Sequence, residues 1–225
     1  MEIKIMKNIM EANDRIAAEN RALFRDKGMM AINVMASPGS GKTSVIIQVI
    51  KSLGAEIDIG VIEGDIATNI DAETIGRLGI PVYQINTGGG CHLDANMIRT
   101  AVQNLTLKKR SLLLIENVGN LVCPSTFDLG EEFKLVIASV PEGHDKPYKY
   151  TSMFMAADVI VLNKKDLMPY IDFDKDSFYK GVRAINLKAP VFEISCRTGE
   201  GVQSFISWLR ERVQEGGRNL SLKCH

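Results

Sequence analysis

Residues 36–43 read Ala36-Ser37-Pro38-Gly39-Ser40-Gly41-Lys42-Thr43. This run follows an apolar stretch at 31–35 and precedes a helix-like stretch at 44–50, which is the strand-loop-helix context of a phosphate-binding loop. The two glycines let backbone N–H groups converge on a phosphate, and the following helix directs its positive end at the same anion. An ordinary glycine turn is the alternative, and the flanking runs disfavour it. The stretch therefore predicts a nucleotide-binding α/β domain.

The loop also assigns contacts to individual side chains. Lys42 is expected on the β- and γ-phosphates, and the Thr43 hydroxyl is expected to bind Mg²⁺. Ala36 stands where the usual pattern has its first glycine. A dinucleotide fingerprint is excluded because its third glycine would fall on Ser44. Nucleotide contacts are predicted for Pro38, Gly39, Ser40, Gly41, Lys42, Thr43 and Ser44.

The composition is that of an ordinary globular domain. The 225 residues are 45% hydrophobic, and 27 lysines and arginines balance 27 aspartates and glutamates. Zero net charge gives no electrostatic argument for nucleic acid or an acidic membrane as a partner. The first residues lack a signal-peptide core and no apolar run is long enough to span a bilayer, so a cytoplasmic location is expected. In a reducing compartment, four cysteines favour metal binding, thiol chemistry or packing over disulfides.

Apolar runs and helical periodicity alternate along the chain. Apolar residues from Ile5 to Leu23 recur at helical spacing up to Gly28, which predicts an amphipathic amino-terminal helix at 1–27, packed on the domain. Strands are predicted at 31–35, 57–62, 82–85, 112–115, 135–140, 159–162 and 191–194, and helices at 44–53, 71–78, 93–105, 173–186 and 202–214. The alternation predicts a P-loop NTPase fold, a mostly parallel sheet with helices on both faces. A frayed tail is expected at 216–225.

A second motif indicates which base the nucleotide carries. Asn163-Lys164-Lys165-Asp166 follows a predicted strand, at the edge where open α/β sheets bind ligands. The Asp166 carboxylate can accept two hydrogen bonds from guanine, whereas adenine offers no such donor pair. Lys164 can lie over the base, Asn163 can support the phosphate loop, and the run Ser195-Cys196-Arg197 can offer a backbone N–H to the guanine carbonyl. A solvated turn is the alternative, but the order of the two motifs favours GTP and a GTPase domain at 28–215.

Further motifs carry a family resemblance. Two predicted strands are followed by Glu116-Asn117-Val118-Gly119 and Glu63-Gly64-Asp65, and residues 89–95 read Gly89-Gly90-Cys91-His92-Leu93-Asp94-Ala95. With the phosphate loop and the base motif, these runs resemble the HypB family, the nickel-incorporation GTPases of hydrogenase maturation. The resemblance covers roughly residues 28–210. It implies a GTP-hydrolysing accessory protein for nickel insertion into NiFe hydrogenase.

The resemblance implies roles for acidic residues around the γ-phosphate. Asp65, Asp71 and Glu116 match family residues that organise Mg²⁺ and the attacking water. Thr43 and Asp65 are the implied magnesium ligands. Phosphoryl transfer requires hard oxygen ligands and an oriented water, so these residues form the expected catalytic set together with Lys42. Asp71 alone also suits a helix N-cap. No arginine finger is evident from the sequence, so slow unaided hydrolysis is expected.

A cluster of soft ligands borders the predicted nucleotide site. Cys91 and His92 follow three glycines, and Cys123 lies four residues beyond Gly119, the expected contact to the γ-phosphate. Thiolate and imidazole suit Ni²⁺ or Zn²⁺, and three such ligands leave a shell that a second subunit could complete. Adjacent residues in an extended chain point apart, so Cys91 and His92 either serve different ions or converge through the glycine turn. Three unrelated side chains are the alternative on spacing alone, whereas the resemblance favours a metal site at a subunit interface.

The remaining cysteines and histidines are assigned simpler roles. Cys196 is expected to pack in the base loop, His144 lies in a candidate switch at 141–147, and Cys224-His225 belongs to the tail. Residues 1–27 contain no cysteine and no histidine, so this stretch lacks the high-affinity nickel motif of some relatives. This absence does not argue against delivery of nickel that is coupled to GTP, because delivery does not require a storage motif.

The resemblance also implies partners. These are a second copy of the chain in a GTP-dependent homodimer, a hydrogenase maturation partner protein and the hydrogenase large subunit, with no nucleic acid and no membrane. Three alternatives are weaker. A urease-type accessory GTPase is expected to carry a Cys-Pro-His metal motif, whereas Cys123-Pro124 is followed here by Ser125. The others are a regulatory or targeting GTPase with structural thiols, and a small-molecule kinase that would gain nothing from a guanine-specific Asp166.

Overall fold

One parallel sheet organises the fold. The computed structural model describes residues 2–65 and 70–221, with side chains at 9–65 and 70–215. Seven strands lie in this described part: β1 (Met30–Ala36), β2 (Asp58–Asp65), β3 (Val82–Asn86), β4 (Ser111–Glu116), β5 (Phe133–Ser139), β6 (Val159–Asn163) and β7 (Val191–Glu193). All neighbouring strands pair in parallel, in the order β3-β2-β4-β1-β5-β6-β7. The predicted P-loop NTPase architecture is confirmed.

Helices cover both faces of the sheet. Those described are α1 (Glu2–Lys27), α2 (Lys42–Leu53), α3 (Ile70–Gly76), α4 (Ala95–Asn104), α5 (Lys146–Lys149), α6 (Thr151–Met155), α7 (Lys175–Ile185) and α8 (Val202–Ser221). The α2 and α8 helices share one apolar cluster with Ile32 and Val34 of β1. The α1 and α4 helices pack with Ala31, and α6 and α7 pack in a third cluster with Met35. Alternate residues of β1 therefore face opposite helical layers.

The centre of the sheet is the most deeply buried part of the fold. Every residue of β1 and of β4 is buried, as expected for parallel strands covered on both faces. Because parallel strands end at the same edge, the loops after β1, β2, β4, β5 and β6 all open at one edge of the sheet. The candidate site lies along this edge.

The amino-terminal helix α1 ends where the sequence indicates. Gly28 has a φ of 63°. Its N–H donates to the Arg25 carbonyl at 2.9 Å, and the Met29 N–H donates to the Phe24 carbonyl at 2.8 Å. This pair of bonds is a Schellman motif, which ends a helix by satisfying its last carbonyls. Phe24 is buried with residues of α4, so the predicted helix packs on the domain.

Some boundaries differ from the predictions. The short helices α5 and α6 were not predicted, because four or five residues give no helical periodicity to read. Helix α8 continues past the expected end at 214, since two glycines at 216 and 217 cost about 1 kcal/mol each and do not forbid a helix. Residues 216–221 of the expected frayed tail are thus helical, whereas 222–225, with the Cys224-His225 pair, lie outside the described residues, and fraying there stays a prediction. In the part that the structure describes, no helix combines the length and apolar character needed to cross a bilayer.

Candidate functional site

The phosphate loop connects the central strand β1 to helix α2. Its glycines adopt left-handed conformations, with φ of 75° at Gly39 and 99° at Gly41. A Cβ atom at Gly41 would overlap the Asn163 amide, so only glycine fits this approach. The Ser40 N–H and hydroxyl both point back to the Ser37 carbonyl, at 3.4 and 3.0 Å. Lys42 begins α2, so the loop backbone and the helix N-terminus form one anion-binding turn.

The base motif contacts the phosphate loop directly. Asn163 Nδ2 donates to the Ser40 carbonyl at 3.0 Å, and its Oδ1 accepts from the Cys196 N–H at 3.3 Å. Lys164 Nζ donates to the Gly39 carbonyl at 2.6 Å. Asn163 therefore connects the phosphate loop with the loop after β7, as the sequence suggested it could.

A cleft of about 470 Å³ lies between these loops and α2. Its walls include the predicted contacts Gly41, Ser44, Asn163, Lys164, Asp166, Cys196 and Arg197. Asp166 Oδ1 accepts a hydrogen bond from the Ser195 hydroxyl at 2.6 Å. This contact holds the carboxylate at the cleft, whose volume falls in the range of small-molecule binding sites.

Two glutamates are buried together beneath the phosphate loop. Glu63 on β2 and Glu116 on β4 are paired neighbours, and each is 2% exposed. Thr43 donates its hydroxyl to Glu116 Oε1 at 2.9 Å. Burial is the main cause that raises the pKa of Glu63 to about 8, followed by the charge of Glu116 and smaller contributions from Asp65 and Asp71. Burial likewise raises the pKa of Glu116 to about 7, against the opposing effects of the Lys42 charge and the Thr43 hydrogen bond. Asp65, at the end of β2, and Asp71, in α3, are thus near enough to Glu116 for their charges to act on it, and these residues together are called the acidic group.

This acidic group fits a hard divalent cation. Oε2 of Glu63 and Oε2 of Glu116 have no hydrogen-bond partner among the described residues. Carboxylate and hydroxyl oxygens are the ligands that Mg²⁺ takes, often through water. The predicted ligand Asp65 ends β2, and residues 66–69, which follow it, lie outside the described part. Glu63 was quoted in the sequence motif but given no role, because a sequence does not show that two strands pair.

Two further segments pack against the phosphate loop. A Cβ atom at Gly119 would lie 3.0 Å from Pro38 Cγ, so the segment after β4 touches the loop. Ser37 donates its hydroxyl to Glu142, which also accepts from the Ser139 hydroxyl at 2.7 Å. Glu142 lies in the segment suspected as a switch, and the sequence analysis did not single it out. His144, from the same segment, instead accepts from the Asp174 N–H at 3.2 Å.

The three soft ligands converge. Cys91 Sγ lies 3.4 Å from His92 Nδ1, and one ligand atom from each of Cys91, His92 and Cys123 falls within 4.8 Å of the others. The glycine turn before them, with φ of 59° at Gly88 and 98° at Gly89, breaks the extended geometry that would separate adjacent side chains. The reading in which Cys91 and His92 point apart is therefore wrong.

The chemistry of the cluster suits a soft cation. Burial lowers the pKa of His92, which keeps the imidazole neutral and able to bind a metal. A hydrogen bond with the Cys123 thiol, followed by burial, raises the pKa of Cys91, so the two sulfurs are in direct contact. The His92 ring stacks on Phe127, with centroids 3.8 Å apart and an interplanar angle of 21°. Phe127, which the sequence analysis missed, fixes the plane of this ring.

Helix α1 holds the two segments that carry these ligands. Asn13 Nδ2 donates to the Asp128 carbonyl at 2.8 Å, and its Oδ1 accepts from the Ala95 N–H at 3.0 Å. Asn20 Nδ2 donates to the carbonyls of Ala95 and Leu129, at 2.8 and 3.0 Å. Each asparagine therefore contacts the chain just after Cys91-His92 and the chain just after Cys123.

The sequence model of the CobW/HypB/UreG nucleotide-binding domain matches residues 30–193. Hydrogenase maturation factor HypB of Rhizobium leguminosarum bv. viciae is 49% identical over 207 residues, which cover 92% of this chain and 69% of that protein. The chain belongs to the HypB family. Another HypB relative, the hydrogenase/urease maturation factor of Helicobacter pylori strain J99, is 38% identical over 95% of this chain and 89% of its own length.

Two solved HypB structures share the fold. HypB from Helicobacter pylori in complex with nickel has a TM-score of 0.86 at 38% identity, covering 91% of this chain and 96% of that chain. HypB from Archaeoglobus fulgidus has a TM-score of 0.84 at 39% identity, covering 90% and 99%. The phosphate loop, the base motif and the Cys/His cluster of this chain thus lie in a HypB fold with a nucleotide-binding domain.

Proposed function

We propose that this HypB chain is a GTP-hydrolysing metallochaperone that inserts nickel during maturation of NiFe hydrogenase. One observation carries the proposal: a single segment, residues 116–123, begins with Glu116 under the phosphate loop and ends with Cys123 in the soft-ligand cluster. A change at the γ-phosphate can therefore reach the metal ligands through a few residues. The names of the HypB relatives and the nickel complex of the Helicobacter pylori protein support the same reading.

Hydrolysis would use positioning and charge rather than a covalent nucleophile. Lys42 binds the β- and γ-phosphates, and Thr43, held by Glu116, binds Mg²⁺ together with Asp65. Asp71 and Glu116 orient the attacking water. Mg²⁺, when bound, offsets the negative charge that develops on the phosphate oxygens. The products are GDP and phosphate.

Nickel or zinc would be held by Cys91, His92 and Cys123. Three ligands are one short of a four-coordinate shell, and Cys91 is exposed. A second copy of the chain, paired in the GTP state, would complete the shell. Hydrolysis would then separate the copies and release nickel to a maturation partner protein and to the hydrogenase large subunit, in the cytoplasm and without nucleic acid or membrane.

The guanine assignment gives the first prediction. Asp166→Asn replaces one carboxylate acceptor by an amide donor that faces the guanine amine, so GTP affinity should fall by about 2 kcal/mol, or roughly thirtyfold. Xanthine nucleotides, which carry a carbonyl at that place, should bind better than they do to the wild type. Competition binding with GTP, XTP and ATP measures both effects. Asp172→Asn, an exposed carboxylate outside the cleft, is the matched control. Equal affinity of the wild type for ATP and GTP would refute the assignment.

The coupling of metal to nucleotide is the test of the whole proposal. Nickel is titrated into the protein with GDP and with a non-hydrolysable GTP analogue, and native mass spectrometry follows the oligomer. We expect nickel affinity to differ about tenfold between the two states, which corresponds to about 1.4 kcal/mol of coupling, and dimers to form with the analogue. By reciprocity, nickel should promote the dimer to the same extent. Identical affinities in both states would contradict the proposed function.

The close approach of Cys91, His92 and Cys123 also argues against a regulatory GTPase with structural thiols. Structural thiols are usually buried among apolar side chains, whereas Cys91 is exposed and its sulfur faces His92. The urease-type alternative is not favoured, because Ser125 occupies the position after Cys123-Pro124 where a histidine is expected, and Ser125 donates its hydroxyl to the Val122 carbonyl at 2.9 Å.

A further inference from the structure

One side chain connects the two loops that carry the soft ligands. Asn120 Nδ2 donates to the Cys91 carbonyl at 3.2 Å, while its Oδ1 accepts from the Val122 N–H at 2.9 Å. Asn120 directly follows Gly119, which packs on the phosphate loop, and lies three residues before Cys123. It therefore touches the backbone of one metal ligand and belongs to the segment that leads to another.

The inner end of this segment is fixed. Asn117 is fully buried, its Oδ1 accepts from the Leu93 and Val118 N–H groups at 3.1 and 3.0 Å, and its Nδ2 donates to Asn33 Oδ1 at 3.0 Å. Asn33 lies on β1, which leads into the phosphate loop. The segment is thus held at Asn117, and only its outer part, from Gly119 onward, can move without breaking buried hydrogen bonds.

We propose that Asn120 is the positioning residue that transmits the nucleotide state to the nickel ligands, an inference that rests on the proposed function. A γ-phosphate that accepts a hydrogen bond from the Gly119 N–H displaces the next residue, Asn120. The Asn120 amide carries the Cys91 carbonyl with it, and this changes the separation of the Cys91 and Cys123 sulfurs. Loss of the γ-phosphate reverses the movement.

The distances make a small movement sufficient. Two thiolates on one tetrahedral ion stand about 3.8 Å apart, since each metal–sulfur bond is about 2.3 Å. The three ligand atoms lie within 4.8 Å of one another. The described arrangement is therefore already close to what one ion requires, and a displacement on the order of 1 Å that moves the Cys91 sulfur away from the Cys123 sulfur would open the set of ligands. Because backbone carbonyl and ligand belong to the same residue, Cys91, a pull on the carbonyl acts directly on the sulfur.

The test separates the two hydrogen bonds of Asn120. In Asn120→Asp, the carboxylate still accepts from the Val122 N–H, so the local turn remains, but the donor to the Cys91 carbonyl is lost. We expect the tenfold difference in nickel affinity between the GDP and GTP-analogue states to shrink to less than twofold. Asn120→Ser, which can accept locally and is too short to reach Cys91, should do the same and guards against a folding defect in the Asp variant. Competition with a chromophoric chelator measures nickel affinity in each state.

Asn104→Asp is the matched control. Asn104 Nδ2 donates to the Thr100 carbonyl at 2.8 Å on the exposed face of α4, so the same change there should keep the tenfold ratio. A wild-type ratio in both Asn120 variants would overturn the role of Asn120 and leave the proposed function standing. A ratio of one in the wild-type protein would instead overturn the proposed function, and the inference with it.

Discussion

Lys42→Ala should lower GTP turnover by at least about a hundredfold without unfolding the protein. Lys42 begins helix α2, and the buried face of that helix is formed by other residues, Val45, Ile46, Val49, Ile50 and Leu53. The ammonium group is expected to stabilise charge that grows on the phosphates in the transition state, and loss of one such donor usually costs about 10²–10³ in rate. Phosphate release measures turnover, and circular dichroism with thermal melting measures folding.

Lys180→Ala is the control for this variant. Lys180 is an exposed lysine on α7, away from the phosphate loop, and its loss should change neither turnover nor melting. Turnover of Lys42→Ala at the wild-type rate would mean that the phosphate loop is not the hydrolytic site. A lowered melting temperature together with lost turnover would assign the effect to stability instead.

The double variant Cys91→Ala, Cys123→Ala should lose stoichiometric nickel binding, with affinity at least about a hundredfold lower. Thiolates are strong ligands for nickel and zinc, and the variant leaves only His92 from the cluster. Metal content after dialysis and calorimetric titration measure the loss. Cys196→Ala removes a thiol of similar burial to Cys123 from the nucleotide cleft and should keep full nickel binding. Undiminished binding by the double variant would place the metal elsewhere on the chain.

The fold could be predicted because its signals are local. The phosphate-loop motif predicts a strand before it and a helix after it. The buried strands β4 and β6 are almost purely apolar runs bounded by polar residues. Every predicted strand and helix was found, with ends shifted by a few residues. Strand β2 runs to Asp65, three residues past its predicted end, because its last residues, Glu63-Gly64-Asp65, do not continue the apolar run yet still pair with β3. The parallel arrangement followed from alternation alone.

The residue types of the candidate site could be predicted, but the hydrogen bonds and contacts between those residues could not. The phosphate loop, base motif and soft ligands were named from spacing and resemblance, and the structure brings each set together. Glu63 was missed because its partner Glu116 is 53 residues away in sequence and adjacent only through strand pairing. The asparagines at 13, 20 and 120 were missed, and Asn117 was quoted in a motif without a role, for the same reason, since an asparagine that bonds to distant backbone has no local pattern.

The contacts of α1 have a consequence for how fast an ion can be captured. Asn13 and Asn20 join the chain at Ala95 to the chain at Asp128 and Leu129, so the helix holds the outer ends of two segments whose inner ends are already held by the buried bond between Leu93 and Asn117. The conformational entropy of both segments is therefore lost on folding, before any ion arrives, and the cluster is preorganised. A protein that drew α1 off the domain would return part of this freedom to the ligand loops, so the natural handle for hastening ion release is a helix that contributes no ligand.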